Sequence, residues 1–312
     1  MTSNLDAASL FRVDGIVAVV TGGGTGIGLT MARALAINGA KRVYLLGRRP
    51  NVLAEATTLH PTVFAPIQCD VTSHASLQAA VDRITSETGY INLLIANSGI
   101  SGPLEARWDP SLPLSEVRAR LFSGQAAMDA TTLTFHVNTT GALFSMVAFL
   151  ELLDAGNKHA TATAANVQMQ GGQGQSVSTG SGVPSIQSQV IVVSSIAAYS
   201  RMAAVAPAYV GSKAAVLHLT KQASSCLAGY GIRANALAPG LFPTELASFM
   251  VRDRDPSTEA PDDPRFLPSR KFGGDEEMAG TLLYLASRAG AYCNGTVLMM
   301  DGGRLGVMRS SY

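Results

Sequence analysis

Short apolar runs alternate with helix-period segments along most of the chain. Residues 16–21 (IVAVVT) form a continuous apolar run that stops at glycines, the mark of a parallel strand buried on both faces. A helix is predicted over 29–38, because Leu29, Ala32, Leu35 and Ala36 share one face and Gly39 stands at the C-cap. The strand pattern returns at 43–46, 93–96, 190–193, 234–238 and 297–300. Strand and helix in alternation predict an α/β fold: a doubly wound parallel sheet with helices on both faces, joined by right-handed crossovers. No internal repeat is present.

Two stretches break the rhythm. Residues 156–189 are 34 positions dominated by Gly, Gln, Ser, Thr and Ala, with Lys158 as the one formal charge. So little apolar surface does not offset chain entropy, and a flexible insertion is expected there, a partner-contacting or gating loop being the sharper alternative. Residues 251–271 hold ten charged residues and four prolines, and 241–272 is expected to be an exposed, semi-ordered lid. Alternation resumes after each stretch, so residues 1–312 are predicted to form a single Rossmann-type domain.

Composition narrows the class. The chain is 47% hydrophobic and only 14% charged, with a net charge of +1. No global field recruits nucleic acid or anionic membrane. The apolar stretch 141–153 has 13 residues and contains Glu151, against the roughly 20 a membrane span needs. The N-terminus lacks the basic and apolar regions of a signal peptide. Cys69, Cys226 and Cys293 are far apart, form no CxxC and fit reduced core residues. A cytoplasmic protein acting on a small molecule is expected, with no metal site.

The run at 16–21 leads into Gly22-Gly23-Gly24-Thr25-Gly26-Ile27-Gly28, and a helix follows at once. A glycine turn between strand and helix aims backbone N–H groups and a helix N-terminus at one spot, where a pyrophosphate is stabilised. NAD sites of this kind usually place an acid about 20 residues on, against the adenosine ribose. Here Gly47 stands in that place, followed by Arg48 and Arg49. A guanidinium can grip a 2′-phosphate bidentately, so NADP(H) is expected over NAD(H). The bland alternative is two solvated arginines on a loop.

Tyr209 and Lys213 stand at i and i+4 on a predicted helix reaching about residue 228, so phenol and ammonium share one face. A nearby cation and a cationic nicotinamide would draw the phenol's pKa down toward working pH. The run at 190–193 ends in Ser194-Ser195, at the carboxyl edge where α/β sheets bind ligands.

With these motifs the chain resembles the short-chain dehydrogenase/reductase family, which has a TGxxxGxG turn and a YxxxK site. The matches run from Thr21–Gly28 through Asp70-Val71, Asn97-Ser98-Gly99, Asn138 in HVNTTG, Ser195, Tyr209, Lys213 and Pro239-Gly240 with Thr244 to Asp301-Gly302-Gly303. The style of the chain resembles fungal members that tailor secondary metabolites. The resemblance implies that Tyr209 exchanges a proton with the substrate oxygen, while Lys213 lowers its pKa and holds the nicotinamide ribose. Ser195 would hydrogen-bond the reacting oxygen, and Asn138 would position a water in a proton relay. Asp70 and Val71 would contact adenine, Asn97 and Gly99 would line the cofactor channel, and Pro239, Gly240 and Thr244 would frame the nicotinamide amide. It also implies a homodimer or homotetramer.

Ser195 and Tyr209 are 14 positions apart, one more than is usual in the family, so the loop between them must bulge. Ser194 is the fallback, although strand alternation turns it away. Ser98 replaces the usual Ala or Gly, and 100–135 is longer than usual. His136 and His218 are expected to be core or interface histidines, and Met146, Phe149 and Leu150 a packing stripe. The expected function is NADP(H)-dependent interconversion of a ketone and a secondary alcohol on a small, largely apolar molecule. The cleft would be closed by Leu241, Phe242, Leu246, Phe249 and Met250. The alternatives are a non-redox lyase, epimerase or cyclase on the same fold, and a non-catalytic dinucleotide-binding protein.

Overall fold

The computed structural model describes residues 5–169, 186–203 and 205–310. Among these residues seven strands form one parallel sheet: β1 Val17–Thr21, β2 Arg42–Gly47, β3 Phe64–Gln68, β4 Leu93–Ala96, β5 Gln189–Val193, β6 Arg233–Pro239 and β7 Val297–Met300. Their order is β3-β2-β1-β4-β5-β6-β7, so the chain reverses its winding between β1 and β4. This is the doubly wound, Rossmann-type sheet. Both faces are covered, and strand alternation divides the core in two. Ala18 and Val20 pack with Met31, Leu35 and Leu282, whereas Val17 and Val19 pack with Ile84, Phe149 and Val216.

The hydrophobic pattern did not locate β3. Its sequence, FAPIQ, carries Pro66 at the centre, and proline is tolerated because this is an edge strand paired only with β2. Gly39 takes the positive φ expected after the Gly26–Ile37 helix.

The expectation of a flexible insertion over 156–189 needs correction at its start. The helix Leu150–Met169 runs well into it. Two contacts tie this stretch to the base of the sheet, beginning with the close approach of Gly156. A Cβ there would lie 2.0 Å from the Ile91 carbonyl oxygen. Asn157 is buried, donates to the Gly231 carbonyl at 2.9 Å and accepts the Ser188 N–H at 2.7 Å. Residues 170–185 lie outside the described residues. His136 and His218 are both exposed on the described chain, which removes the core reading for either. Met146 and Phe149 are buried as expected. The long segment 100–135 folds into helices Leu114–Leu121 and Gln125–Phe135. Among the described residues no single helix is long and apolar enough to cross a membrane.

Candidate active site

The carboxyl ends of β1, β4, β5 and β6 open into a cleft of about 900 Å³, at the winding reversal where α/β sheets leave a crevice. The glycine turn forms one wall. Gly22 and Gly26 adopt φ of +66° and +53°, a conformation that favours glycine. Gly28 is needed for close packing, since a Cβ would sit 2.3 Å from the Gly22 carbonyl oxygen and 2.5 Å from Asn97 Nδ2. Asn97 clamps the turn, its amide donating to the Thr21 and Gly22 carbonyls at 3.0 and 3.2 Å. Thr25 caps the Gly26–Ile37 helix without a side-chain capping bond, and Thr25, Gly26 and Ile27 all face the cleft. Unfilled donors at a helix start, with no Cβ in the way, fit a pyrophosphate.

At the end of β2, Gly47, Arg48 and Arg49 line the same cleft, with both guanidinium groups exposed. Asp70 and Val71, after β3, line it beside them. Hydrogen bonds from the Thr72 hydroxyl and N–H hold the Asp70 carboxyl below the usual carboxylate range, and the charge of Arg48 adds to this. On the far side Pro239, Gly240 and Thr244 line the cleft after β6, and the Gly240 N–H donates to the Met300 carbonyl at 2.9 Å.

Between these ends lies the polar floor. The helix Pro207–Cys226 begins with its proline in the first turn, where no N–H is needed. It brings Tyr209 and Lys213 to β5 as their spacing predicts. Lys213 Nζ stands 5.8 Å from the Tyr209 ring centroid and donates to the Val193 carbonyl at 2.9 Å. Burial lowers the Lys213 pKa to about 8. The Tyr209 phenol behaves differently from the sequence expectation. Burial pushes its pKa up, and the hydrogen bond with Ser195 only partly opposes this. The protein alone therefore keeps a neutral phenol, the form that can donate a proton.

Ser195 and Ser194 separate as alternation requires. Ser195 faces the cleft and its Oγ accepts the Ala197 N–H at 3.1 Å, whereas the Ser194 hydroxyl is buried and donates to the Lys213 carbonyl at 2.8 Å. The extra residue before Tyr209 is absorbed in a loop that begins with the 3₁₀ turn Ile196–Tyr199.

Asn138 lies in a π-helical turn, His136–Gly141, and is almost wholly buried. Its side chain accepts the Ile100 N–H at 2.8 Å and donates to the Ile100 carbonyl and Ser212 Oγ at 2.9 and 3.0 Å. These bonds use both amide donors and anchor the loop after β4 to the Tyr209 helix. Gly99 leaves the floor open, since a Cβ there would lie 3.2 Å from Asn138 Oδ1 and 3.4 Å from Lys213 Nζ.

Several cleft residues escaped the sequence reading. Met202, Arg254, Arg304 and Met308 also line the cleft. Arg304 is buried and donates to the Phe266 carbonyl at 2.9 Å and to the Pro264 carbonyl. The expected exposed lid contains a buried ion pair, Arg254 with Glu259 at 2.6 Å. A lone arginine next to Asp301-Gly302-Gly303 was the available signal for Arg304. The lid pair left none, being two charges among many.

Two family models match, one described as short chain dehydrogenase over residues 16–181 and one as Enoyl-(Acyl carrier protein) reductase over 125–304. The chain belongs to the short-chain dehydrogenase/reductase family. It is an NAD(P)-dependent oxidoreductase of that family and resembles fungal members. It is 56% identical over 282 residues to short-chain dehydrogenase/reductase SAT3 of Stachybotrys chartarum, covering 90% of this chain and all of that one. PhomF of Diaporthe leptostromiformis is 45% identical over 315 residues, covering 100% and 99% of the two chains. The solved Pseudomonas aeruginosa RhlG/NADP active-site complex matches with a TM-score of 0.73 and 26% identity, covering 95% of this chain and 98% of that one. Gluconate 5-dehydrogenase from Burkholderia cenocepacia, in complex with NADP and tartrate, matches with a TM-score of 0.70 and 27% identity, covering 96% and 99%.

Proposed function

We propose that the protein interconverts a ketone and a secondary alcohol on a small, largely apolar molecule, using NADP(H). The observation that carries this reading is the convergence of Ser195, Tyr209 and Lys213 on a cleft whose other wall is the glycine turn. The dinucleotide, when bound, supplies or accepts the hydride. Gly22, Thr25, Gly26, Ile27 and Gly28 would hold its pyrophosphate, Asp70 and Val71 its adenine, and Pro239, Gly240 and Thr244 its amide. Arg48 would hold the 2′-phosphate, with no carboxylate at Gly47 to repel it. RhlG and the gluconate 5-dehydrogenase were both solved with NADP, which supports the preference.

In the reductive direction negative charge builds on the substrate oxygen. Ser195 Oγ donates a hydrogen bond to that oxygen, and Tyr209 hands over its phenolic proton. Lys213, held by the Val193 carbonyl, stabilises the phenolate left behind and keeps donors for the ribose. Asn138 keeps the loop bearing Gly99 against the Tyr209 helix and would position a relay water beside it. Ile100, Leu104, Met202, Val205, Phe249 and Met308 make the substrate side mostly apolar. The same reading takes the enzyme as a cytoplasmic homodimer or homotetramer, with exposed Phe135, Phe144 and Val147 on the associating face.

The test follows nicotinamide absorbance with a panel of aryl and alicyclic ketones. NADPH should be consumed in preference to NADH, and Arg48→Gln should reduce that preference by about tenfold or more, the worth of a hydrogen-bonded charge. A wild-type preference for NADH overturns the cofactor assignment, and silence with both cofactors across the panel overturns the redox assignment.

A further inference from the structure

The segment after β6 crosses above the dinucleotide groove and touches its opposite wall twice. Thr244 packs on the glycine turn, where a Cβ on Gly26 would lie 3.2 Å from Thr244 Cγ2. One residue on, Glu245 Oε2 stands 3.5 Å from Arg49 Nη2. Both members of this pair line the cleft, although they come from opposite halves of the sheet. Arg49 caps the helix Pro50–Thr57 and directly follows Arg48. Among the described residues it makes no other ion pair.

We infer that Glu245 is a specificity-determining residue for the cofactor. Its carboxylate holds Arg49 when no 2′-phosphate is present and gives Arg49 up to that phosphate when NADP binds. The inference rests on the proposed use of NADP at the Arg48 end of the groove. A carboxylate and a phosphate compete for the same planar guanidinium fork, and they repel each other when brought to it together. The competition burdens NADP alone, because NAD brings no second anion to that end. Since both side chains are largely solvated, the effect is modest and salt-sensitive.

Calorimetric titration of the full-length protein with NADP+ and with NAD+ separates the possibilities. Glu245→Gln should bind NADP+ about three- to fivefold more tightly at low ionic strength, with NAD+ unchanged and the gain shrinking as salt is added. The double variant Glu245→Gln with Arg49→Gln should match Arg49→Gln alone. Unchanged or weaker NADP+ binding by Glu245→Gln overturns the inference, as does equal tightening of both dinucleotides or a gain that survives loss of Arg49. Wild-type protein and Arg48→Gln, titrated alongside, report on the parent reading. If the wild type favours NADP+ and Arg48→Gln loses that preference, a null result at Glu245 condemns the inference alone. If the wild type favours NAD+, both fall.

Discussion

On the floor of the cleft, Asn138, Ser194 and Lys213 are almost wholly buried, and each is bonded to the backbone of a different element. In the roof, residues 250–271, many hydrogen bonds are local, such as those within Asp255–Ser257 and Asp263–Arg265. Its longer ties are mainly guanidinium groups: Arg254 to Glu259 and to the Met250 and Arg265 carbonyls, and Arg304 to the Pro264 and Phe266 carbonyls. A floor group cannot shift without disturbing a strand or a packed helix. The roof can be loosened one tether at a time. The proposed proton chemistry thus sits where the sheet fixes geometry, and substrate fit sits where a few side chains do.

This contrast predicts a split in kinetics. Tyr209→Phe removes the proton donor while keeping the ring, and kcat should fall by roughly 10²- to 10⁴-fold. NADP+ affinity and the melting temperature should hardly change. A variant that kept its kcat and only raised KM would move Tyr209 from chemistry to binding and erase the distinction between floor and roof.

Arg304→Met tests the roof. It deletes the donors to Phe266 and Pro264 and leaves partly buried carbonyls unpaired, at a cost of about 1–3 kcal/mol. If that cost is met when substrate closes the roof, KM for the ketone should rise about tenfold with kcat little altered. Steady-state kinetics at saturating NADPH decides this. An equal fall in kcat would mean that the roof positions the reacting atoms as well.

The same division explains what could be read from the chain. Six of the seven strands show as apolar or nearly apolar runs, most clearly β1, β4 and β5, where every position is buried and little polar sequence blurs the pattern. The seventh, β3, is hidden by Pro66, a mid-strand proline that suits an edge strand. The floor is legible because its spacing is local: four positions on one helix join Tyr209 to Lys213, and alternation on one strand separates Ser194 from Ser195. The resemblance gives Asn138 a place in a proton relay, whereas its side-chain bonds to Ile100 and Ser212 come from distant segments that no spacing relates. The roof's Arg304 tethers are long-range for the same reason. Arg304 meets Pro264 and Phe266 only after the chain has passed through β7. The helical start of 156–189 was missed because its low apolar content conceals anchors such as Asn157, which work by hydrogen bonds.

The finest test concerns the floor cation Lys213. Burial holds the Lys213 pKa at about 8, well below its ordinary 10.5. Below that pH the ammonium is present, and in the proposed function it offers charged donors to the phenol and to a bound ribose. As pH rises through about 8 the amine becomes neutral, and NADP+ affinity should weaken about threefold, since a neutral amine keeps a hydrogen bond but loses its charge assistance. Folding responds in the opposite sense. Between about 8 and 10.5 the unfolded chain binds more protons at this lysine than the folded one, so the Lys213 contribution to stability rises with pH over that window. Lys213→Met should flatten both trends together. Binding titrations and thermal melts at matched pH read them separately. If affinity still declines through pH 8 in that variant, the titrating group lies in the roof or on the cofactor, and the floor's cation is not what holds the ribose.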